Sequence, residues 1–246
     1  MRQAMPRNSR QRRKPGQIDR LVLHFNENRH LFEAFAKSLV AIIQTSPILV
    51  PLLHSVLFRI KDPSSLRGKL VRLAQEYKKT GKAFDIDENN LFQKINDLAG
   101  IRLLHLHTEQ VAEINTRLLA ILNEQRCRLI EGPIANCWDI EYQELFRQYE
   151  IKTRSRNSMY TTVHYVVQAN QRTKITCEIQ VRTLMDEVWG EVSHRVNYPD
   201  ESPSRSCRDQ LKVLARVTTA GIRLVDSIFK SHNEIQPVAT AARRRQ

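Results

Sequence analysis

Residues 174–198 read KITCEIQVRTLMDEVWGEVSHRVNY, and their spacing changes part-way along from a strand-like to a helix-like pattern. In the first half, apolar and polar side chains alternate with a period of two, which predicts a strand with one dry face. The apolar residues are Ile175, Cys177, Ile179 and Val181, and the polar residues are Thr176, Glu178, Gln180 and Arg182. Polar groups in a row on a central strand are costly unless they are paired or used, so this strand is a candidate part of a site.

The second half of the stretch has helical spacing, with an apolar stripe and a polar stripe on different faces. The apolar stripe is Met185, Trp189, Val192 and Val196, and the polar stripe is Glu187, Glu191, His194 and Tyr198. A strand that leads directly into a helix, with chemically able side chains on both, predicts a site around which the rest of the chain is arranged.

The rest of the sequence predicts helices at both ends and mixed strands and helices between them. Helical spacing runs from Ile18 to about Thr45 and from Pro203 to about His232, and short strand-like runs such as Cys127–Glu131 lie between. We therefore expect an α+β fold with a mixed sheet of about five strands flanked by helices. In the C-terminal helix, the residues expected to face inward are Leu211, Leu214, Val217, Leu224, Val225 and Ile228.

The expected divisions of the chain follow from these patterns and from composition. They are a basic disordered tail (1–17), an N-terminal helical region (18–54), a central domain (55–200), a C-terminal helix (201–234) and a second basic tail (235–246).

The positive charge of the chain is concentrated in the two tails. The formal net charge is +13, and nine positive residues lie in the terminal segments, which contain no acids. Such tails attract nucleic acid such as tRNA, or anionic surfaces, although a solvated, disordered terminus has the same composition. The modest positive charge of the central part suits an anionic ligand such as a nucleotide.

Cysteine usage and hydropathy bear on the compartment. The four cysteines are scattered without a CxxC pair, which favours a reducing compartment over a disulfide framework. The aliphatic run Leu39–Ile43 is too short to span a bilayer, and no apolar segment directly follows the basic N-terminus. We expect a soluble, cytoplasmic protein with no membrane partner.

Two carboxylates are candidates for catalysis and metal binding. Asp97 precedes a predicted strand in a glycine-containing turn, and Glu178 lies on the polar face of the strand described above. If the two meet at one edge of the sheet, they could hold Mg²⁺, which usually binds one or two carboxylates together with substrate phosphates. The alternative is that Asp97 caps a turn and Glu178 pairs with a neighbouring arginine.

A basic set surrounds the start of a predicted helix, and its members are Arg59, Lys61, Ser65 and Lys69. A helix N-terminus offers free N–H groups and a positive dipole, so cations and a hydroxyl at this point favour phosphate binding. Arg102, on the strand after Asp97, could add a further cation. An exposed basic helix face, or an arginine paired with a nearby acid, would give the same pattern.

A second ligand-binding set lies on a later strand. Tyr160 and His164 share a strand face, and such residues can stack on a base and bond a phosphate. The preceding cations Lys152, Arg154 and Arg156 would lie on one side of an extended segment. A Tyr–His pair satisfied within the fold and a solvated basic edge are the alternatives.

Together these motifs resemble the synthetase domain of the RelA/SpoT family, the (p)ppGpp alarmone synthetases, over roughly Ser55 to Tyr198. The motifs that carry the resemblance are HSVLFRIKDPSSLRGKL, NDLAGIRLL, YTTVH, EIQVRT and VWGEVSHRVNY, in that order. The resemblance implies a nucleotidyltransferase-like fold and a pyrophosphokinase that moves the β,γ-pyrophosphate of ATP to the 3′-hydroxyl of GDP or GTP. It also implies a small synthetase that often forms homo-oligomers.

The resemblance assigns roles to single residues. Arg59 would contact the adenine, and Lys61, Ser65 and Lys69 would hold the ATP phosphates together with Arg102. Asp97 would bind Mg²⁺, and Glu178 would share the metal or help to deprotonate the 3′-hydroxyl. Tyr160 would stack on the acceptor base and His164 would hold the acceptor phosphates. The residues that would complete the acceptor side are Gln180, Arg182, His194 and Asn197.

The chain departs from the family pattern at the acceptor side. Met159 stands where the family usually has glycine, Ser193 where it often has glutamate, Pro199 where it usually has lysine, and 155–158 lacks the usual Lys-Pro-Asn-Gly character. The resemblance therefore supports ATP use better than a particular acceptor. A toxin-like enzyme that modifies the tRNA 3′ end and a non-catalytic nucleotide-binding module are the competing hypotheses. No His-Asp dipeptide occurs, so we expect no hydrolase domain of the family in this chain.

Overall fold

The computed structural model describes residues 16–155, 159–169, 174–197 and 202–243, with side chains described as far as residue 234. The helices are α1 (Gln17–Thr45), α2 (Pro63–Lys79), α3 (Leu91–Lys94), α4 (Gln110–Glu124), α5 (Ile140–Gln148), α6 (Leu184–Asn197) and α7 (Arg205–Arg243). The strands are β1 (Ser55–Ile60), β2 (Ala99–His105), β3 (Arg128–Cys137), β4 (Lys152–Ser155), β5 (Thr162–Gln168) and β6 (Thr176–Thr183). The turn expected at Asn170 and Gln171, and the parts of the basic tails at 1–15 and 244–246, lie outside the described residues.

The strands form one mixed sheet in the order β1-β2-β6-β5-β3-β4. β2 and β6 pair in parallel, as do β3 and β4, and the other neighbours are antiparallel. The α+β prediction with a mixed sheet flanked by helices is confirmed, with six described strands where about five were expected. β6 lies between β2 and β5, so the strand predicted from the alternation after Lys174 is central in the sheet.

One face of the sheet is the main core. The apolar residues of β6 that alternate toward this face, Cys177, Ile179 and Val181, are at most 1 % exposed. Long apolar side chains of α1 and α4 join the same cluster, among them Phe25, Phe32, Leu39, Ile114 and Leu118. The period of two on the strand and the period of 3.6 on the helices therefore meet in one hydrophobic layer.

β3 is longer than the sequence indicated. The expected strand ended at Glu131, but β3 continues to Cys137 past an irregularity in its register with β5. Gly132 lies in this irregularity with φ +96°, and a Cβ at this position would lie 2.2 Å from the carbonyl oxygen of His164. A glycine followed by proline reads as a strand end, but here it is a bulge that lets the strand continue.

α7 packs on its own domain, although not by the whole face predicted. Trp189 Nε1 on α6 donates to the Leu211 carbonyl oxygen at 2.9 Å, and Leu211, Ala215 and Ile222 are buried. The prediction that Val217, Leu224 and Ile228 face inward is wrong, since each is more than half exposed. The reason is that α7 meets the domain along a narrower stripe than its apolar content suggests. None of the described helices has the length and apolar character needed to cross a membrane.

Asp226 fixes α7 to the domain by two hydrogen bonds. Its carboxylate accepts from the Thr108 backbone N–H at 2.7 Å and from the Tyr142 hydroxyl at 3.1 Å. We expect Asp226→Ala to lower the free energy of unfolding by about 1–3 kcal/mol, because two partly buried donors lose their acceptor. Urea denaturation followed by circular dichroism measures this change.

The matched control is Asp209→Ala, also on α7, whose carboxylate pairs with Lys212 at the surface. An exposed pair of this kind contributes about 0–1 kcal/mol, so this variant should unfold close to the unaltered protein. Equal loss of stability in both variants would contradict the role given to Asp226.

Candidate active site

The face of the sheet opposite the core carries polar side chains from four neighbouring strands. Cross-strand partners share a face, and the register pairs Arg59 with Gly100, Gly100 with Glu178, and His164 with Gln180. Gln180 thus has His164 of β5 as one neighbour and Arg102 of β2 as the other. The fold thus brings together residues that are far apart in the sequence and were predicted separately.

Asp97 lies in the turn before β2 and is held by two lysines. Its Oδ2 accepts from Lys61 Nζ at 2.7 Å, and its Oδ1 accepts from Lys69 Nζ at 2.8 Å. Burial by itself would raise the pKa of Asp97, but the charges of Lys69 and Lys61 outweigh it, so the pKa lies below its ordinary value. The carboxylate is therefore ionised and its charge is compensated by the predicted phosphate-binding lysines.

The N-terminus of α2 is shaped by a side-chain cap. Asp62 Oδ1 accepts from the backbone N–H groups of Ser64 and Ser65 at 2.8 and 3.4 Å. This cap places Ser65 in the first turn and Lys69 one turn further, so that the lysine reaches Asp97.

Glu178 is held from two sides on β6. Its Oε1 lies 2.8 Å from His164 Nδ1, and its Oε2 accepts from Gln180 Nε2 at 2.8 Å. Burial by itself would raise the pKa of Glu178, but the contacts with His164 and Gln180 together outweigh it, so the pKa lies below its ordinary value. Within the described part of the chain, the buried Nε2 of His164 has no hydrogen-bond partner.

Tyr160 lies against the same cluster. Its hydroxyl donates to Gln180 Oε1 at 3.3 Å and accepts from Arg182 Nη1 at 3.2 Å. The Arg182 guanidinium also lies 5.5 Å from the centre of the Tyr160 ring, and the ring of His164 is edge-on at 6.0 Å. Burial raises the pKa of Tyr160, so its hydroxyl keeps its proton.

Arg182 and Arg102 are linked through acids on α6. Arg182 is 4 % exposed and its Nη2 pairs with Glu187. Arg102 Nη1 donates to Glu187 Oε1 at 2.7 Å and to Glu191 Oε1 at 2.6 Å. The two glutamates belong to the polar stripe of the sequence, but no motif indicated which cations they would bind.

Three pockets meet at Asp97, with volumes of about 270, 370 and 270 Å³, and Glu178 lines the first and the third of them. The first is lined by Leu57, Phe58, Arg59, Asp97, Gly100, Ile101, Arg102, Glu178 and Gln180. The second, which is basic, is lined by Arg59, Lys61, Lys69, Arg72, Leu73, Glu76, Asp97 and His194. The third is lined by Lys69, Lys94, Asn96, Asp97, Glu131, Ile134, Asn136, Arg154, His164, Val166 and Glu178. Pockets of this size that share a pair of ionised acids can hold two ligands side by side.

Two residues assigned to the acceptor side lie elsewhere. His194 lines the basic pocket with Arg59, Lys61 and Lys69, where the ATP-binding residues were predicted. Burial lowers the pKa of His194, and the charge of Arg59 lowers it further. Asn197 lies at the end of α6, where its Oδ1 accepts from the Ser202 backbone N–H at 3.1 Å.

The third pocket contains residues that the sequence analysis missed. Asn136 lies on the part of β3 beyond Glu131, and it could be found only by extending that strand past Pro133. Arg154 was noticed only as part of a basic run, and it pairs with Glu131 at 3.1 Å on the rim. Asn96 of this pocket and Arg72 of the basic pocket have no recognisable sequence pattern, because their place depends on how α2 and the turn before β2 meet the sheet.

The donor set at Asp97 and Glu178 fits a hard cation. Both side chains offer carboxylate oxygens, which Mg²⁺ prefers, and both line the first and third pockets. Among the described residues, no group of three or more histidines, cysteines or acids is arranged to hold a metal ion. A metal at this point would therefore take its other ligands from a substrate or from water.

Comparison with known proteins gives the family. The family described as a region found in RelA/SpoT proteins matches residues 58–203, more than half of the chain. The chain belongs to the RelA/SpoT family. None of the curated proteins matches it.

Solved structures with similar folds agree with this RelA/SpoT assignment. Small alarmone synthetase 1 from Bacillus subtilis bound to its product pppGpp is 16 % identical, with a TM-score of 0.54, and the match covers 89 % of this chain and 98 % of that one. The same enzyme bound to AMPCPP is 13 % identical, with a TM-score of 0.51 and coverage of 90 % and 99 %. A GTP pyrophosphokinase family protein from Streptococcus pneumoniae is 19 % identical, with a TM-score of 0.50 and coverage of 90 % and 95 %. At these identities the likeness shows the fold.

The hydrogen bond between His164 and Glu178 can be tested by titration. We expect His164→Ala to raise the pKa of Glu178, because burial then acts without the strongest lowering contact. Carboxyl ¹³C NMR of the unaltered protein and the variant measures the two values. An acid with a lowered folded pKa stabilises the fold above the unfolded value, and this stability is lost as pH falls through the folded value. In the variant, the stability that this acid contributes should therefore be smaller and should be fully lost at a higher pH.

His164→Gln is the control, because its amide can still donate to Glu178. If the pKa of Glu178 is the same in the alanine variant and the unaltered protein, the contact does not set its ionisation.

Proposed function

We propose that this RelA/SpoT-family chain is an ATP-dependent pyrophosphokinase that transfers the β,γ-pyrophosphate of ATP to the 3′-hydroxyl of GDP or GTP, making (p)ppGpp. The observation that carries this proposal is the position of two ionised acids among three adjoining pockets. Asp97 lines all three, one of which is basic, and Glu178 lines the other two. A transfer between two nucleotides needs this arrangement, because both substrates must reach the same pair of acids.

The basic pocket suits ATP. Lys61, Lys69 and Arg72 line it and can compensate the charge of the phosphates. Arg59 lines this pocket and also the first pocket, which Leu57 and Arg102 line as well. It would therefore lie between the phosphates and the adenine of ATP. The similar Bacillus subtilis structure bound to AMPCPP supports an adenine nucleotide as one substrate.

Asp97 and Glu178 would hold Mg²⁺ together with substrate phosphates. The ion, when bound, supplies positive charge to the phosphoryl group as it is transferred. Lys61 and Lys69 now bind both oxygens of Asp97, and in the complex these cations would turn to the ATP phosphates. That exchange keeps every charge compensated while it releases the carboxylate.

The third pocket would hold the acceptor nucleotide. His164 lines this pocket, and Asn136 and Arg154 offer an amide and a cation. Tyr160 supplies an aromatic ring beside Gln180 for the base. The similar structure bound to pppGpp supports a guanine nucleotide in this role.

The transfer step needs position, charge and one proton acceptor. The 3′-oxygen of the acceptor forms a bond to the β-phosphorus of ATP, the bond from that phosphorus to the α-phosphate bridging oxygen breaks, and AMP leaves. Glu178 lies where it could accept the proton of the 3′-hydroxyl, and its bond to His164 holds the carboxylate in one orientation. Most of the rate enhancement would come from fixing the two substrates against compensated charges.

A toxin-like transfer to the tRNA 3′ end is the second candidate function. The observation that favours it is the concentration of nine positive residues in the terminal segments, together with the altered residues before Tyr160. RNA binding through phosphate contacts weakens steeply with salt, whereas a mononucleotide enclosed in a pocket depends on salt far less.

The function is tested by label transfer from γ-labelled ATP with Mg²⁺, offering GDP, GTP, ADP, AMP and bulk tRNA separately. We expect label on GDP or GTP, and we expect Glu178→Gln to reduce transfer by about 10²–10⁴-fold, the usual contribution of a general base. Glu113→Gln is the matched control, since Glu113 is an exposed acid on α4 that contacts Arg117.

Other outcomes separate the hypotheses. Label on tRNA alone would replace the mononucleotide acceptor by RNA, and that transfer should fall as salt rises. Bound ATP without transfer to any acceptor would favour the non-catalytic module. Full activity of Glu178→Gln would refute the site itself.

A further inference from the structure

An unbroken series of polar contacts joins the first pocket to Tyr160 and then to Glu178. Arg102 binds Glu187, Glu187 binds Arg182, and Arg182 donates to the Tyr160 hydroxyl. Tyr160 donates in turn to Gln180, whose amide donates to Glu178. The series therefore crosses from a group on the ATP side, through the predicted acceptor-base platform, to a catalytic carboxylate.

The central members of this series are buried. Glu187 and Arg182 are 8 % and 4 % exposed, so neither can exchange its partner for bulk water. Buried ions of this kind require their counter-charges, and removal of one partner leaves the other uncompensated. Glu187 uses one oxygen for each guanidinium, so its position depends on both arginines and theirs on it.

Gly190 makes room for the arrangement. It lies on α6 one turn before His194, and a Cβ there would lie 2.7 Å from Arg182 Nη1. Any side chain at position 190 would displace the guanidinium that supports Tyr160. The three heavy atoms nearest to that added atom all belong to Arg182, so this change acts first on one end of the series.

Glu191 provides the contrast. It accepts from the same nitrogen of Arg102 at 2.6 Å, but its side chain is 43 % exposed. Glu187 and Glu191 thus share Arg102, while Glu187 alone of the two also binds Arg182.

We propose that Glu187 is a positioning residue that couples the two nucleotide subsites by holding Arg102 and Arg182 at the same time. This inference rests on the proposed function, because it needs an ATP pocket beside Arg102 and an acceptor beside Tyr160. A nucleotide that contacts Arg102 fixes Glu187, which fixes Arg182 and the Tyr160 ring before the acceptor arrives. Binding of the acceptor then requires less ordering of these side chains. By linkage, the acceptor tightens the binding of the adenine nucleotide by the same factor.

The test is a binding cycle with AMPCPP and GDP as probes, measured by calorimetry. In the unaltered protein we expect AMPCPP to tighten GDP binding by about 5–150-fold, the usual range of coupling between sites. In Glu187→Gln this factor should fall toward one, because an amide cannot compensate two guanidinium groups. Glu191→Gln is the control, since it removes the same charge beside Arg102 and should keep most of the factor.

Gly190→Ala tests the same series without changing charge. We expect it to weaken GDP binding and raise the KM for GDP, with little change in AMPCPP affinity. It also keeps the proposal open to refutation if Glu187→Gln fails to fold. The NMR signals of the Arg102 and Arg182 Nε–Hε groups give a readout without substrate. Both should shift in Glu187→Gln, and in Glu191→Gln the change should be confined to Arg102.

Three results would overturn the proposal. They are an unchanged coupling factor in a folded Glu187→Gln variant, an equal loss in Glu191→Gln, and unaltered GDP affinity in Gly190→Ala. Label transfer to GDP without any coupling in the unaltered protein would overturn this inference and leave the proposed function standing. Absence of transfer and of GDP binding would overturn the proposed function itself.

Discussion

The structure depends on compensating ionised acids that lie partly or wholly out of water beside a central sheet. Asp97 is bound by Lys61 and Lys69, Glu178 by His164 and Gln180, and Glu187 by two arginines. An uncompensated charge at any of these places would cost about 3–5 kcal/mol, a large part of the about 5–15 kcal/mol by which a typical domain is stable. The polar face can therefore exist because β1, β2, β5, β6, α2 and α6 each deliver a partner to the same region.

This compensation also prepares the face for a polyanion. Lysines that bind a carboxylate in the absence of ligand are already desolvated and oriented, so a phosphate can take the place of the carboxylate without a large rearrangement. In the proposed complex, the released carboxylate would meet a cation brought in with the nucleotide. The free protein and its complex would then differ mainly in which oppositely charged groups are paired.

The sequence was sufficient where the signal was local or carried by an ordered motif. The alternation on β6 correctly predicted its buried face, and the family motifs led to Lys61, Lys69, Asp97, His164 and Glu178, which the fold brings together. It was insufficient where placement depends on how distant segments meet. His194 follows the strand of the acceptor side in the sequence, but the direction of α6 carries it over to the basic pocket.

Other differences have equally physical causes. The pattern at 132–133 has the composition of a strand end, and it took the tertiary contact with β5 to show that β3 continues to Asn136. On α7, apolar residues lie on more than one side of the helix, so periodicity alone did not define the stripe that is buried. The pairing of Glu187 with Arg182 and Arg102 is also invisible locally, because the three residues come from three elements.

The bulge at Gly132 has a consequence for how this domain can vary. Its α-hydrogen faces the carbonyl oxygen of His164 where a larger atom has no space, so β5 and the histidine ring it carries keep their position only while this residue is glycine. In a survey of all single substitutions scored by activity, position 132 would then group with the ligand-binding residues, although it has no side chain to offer a ligand. Evolution of a new acceptor preference would have to proceed around this fixed point, through Asn136, Arg154 and the segment before Tyr160.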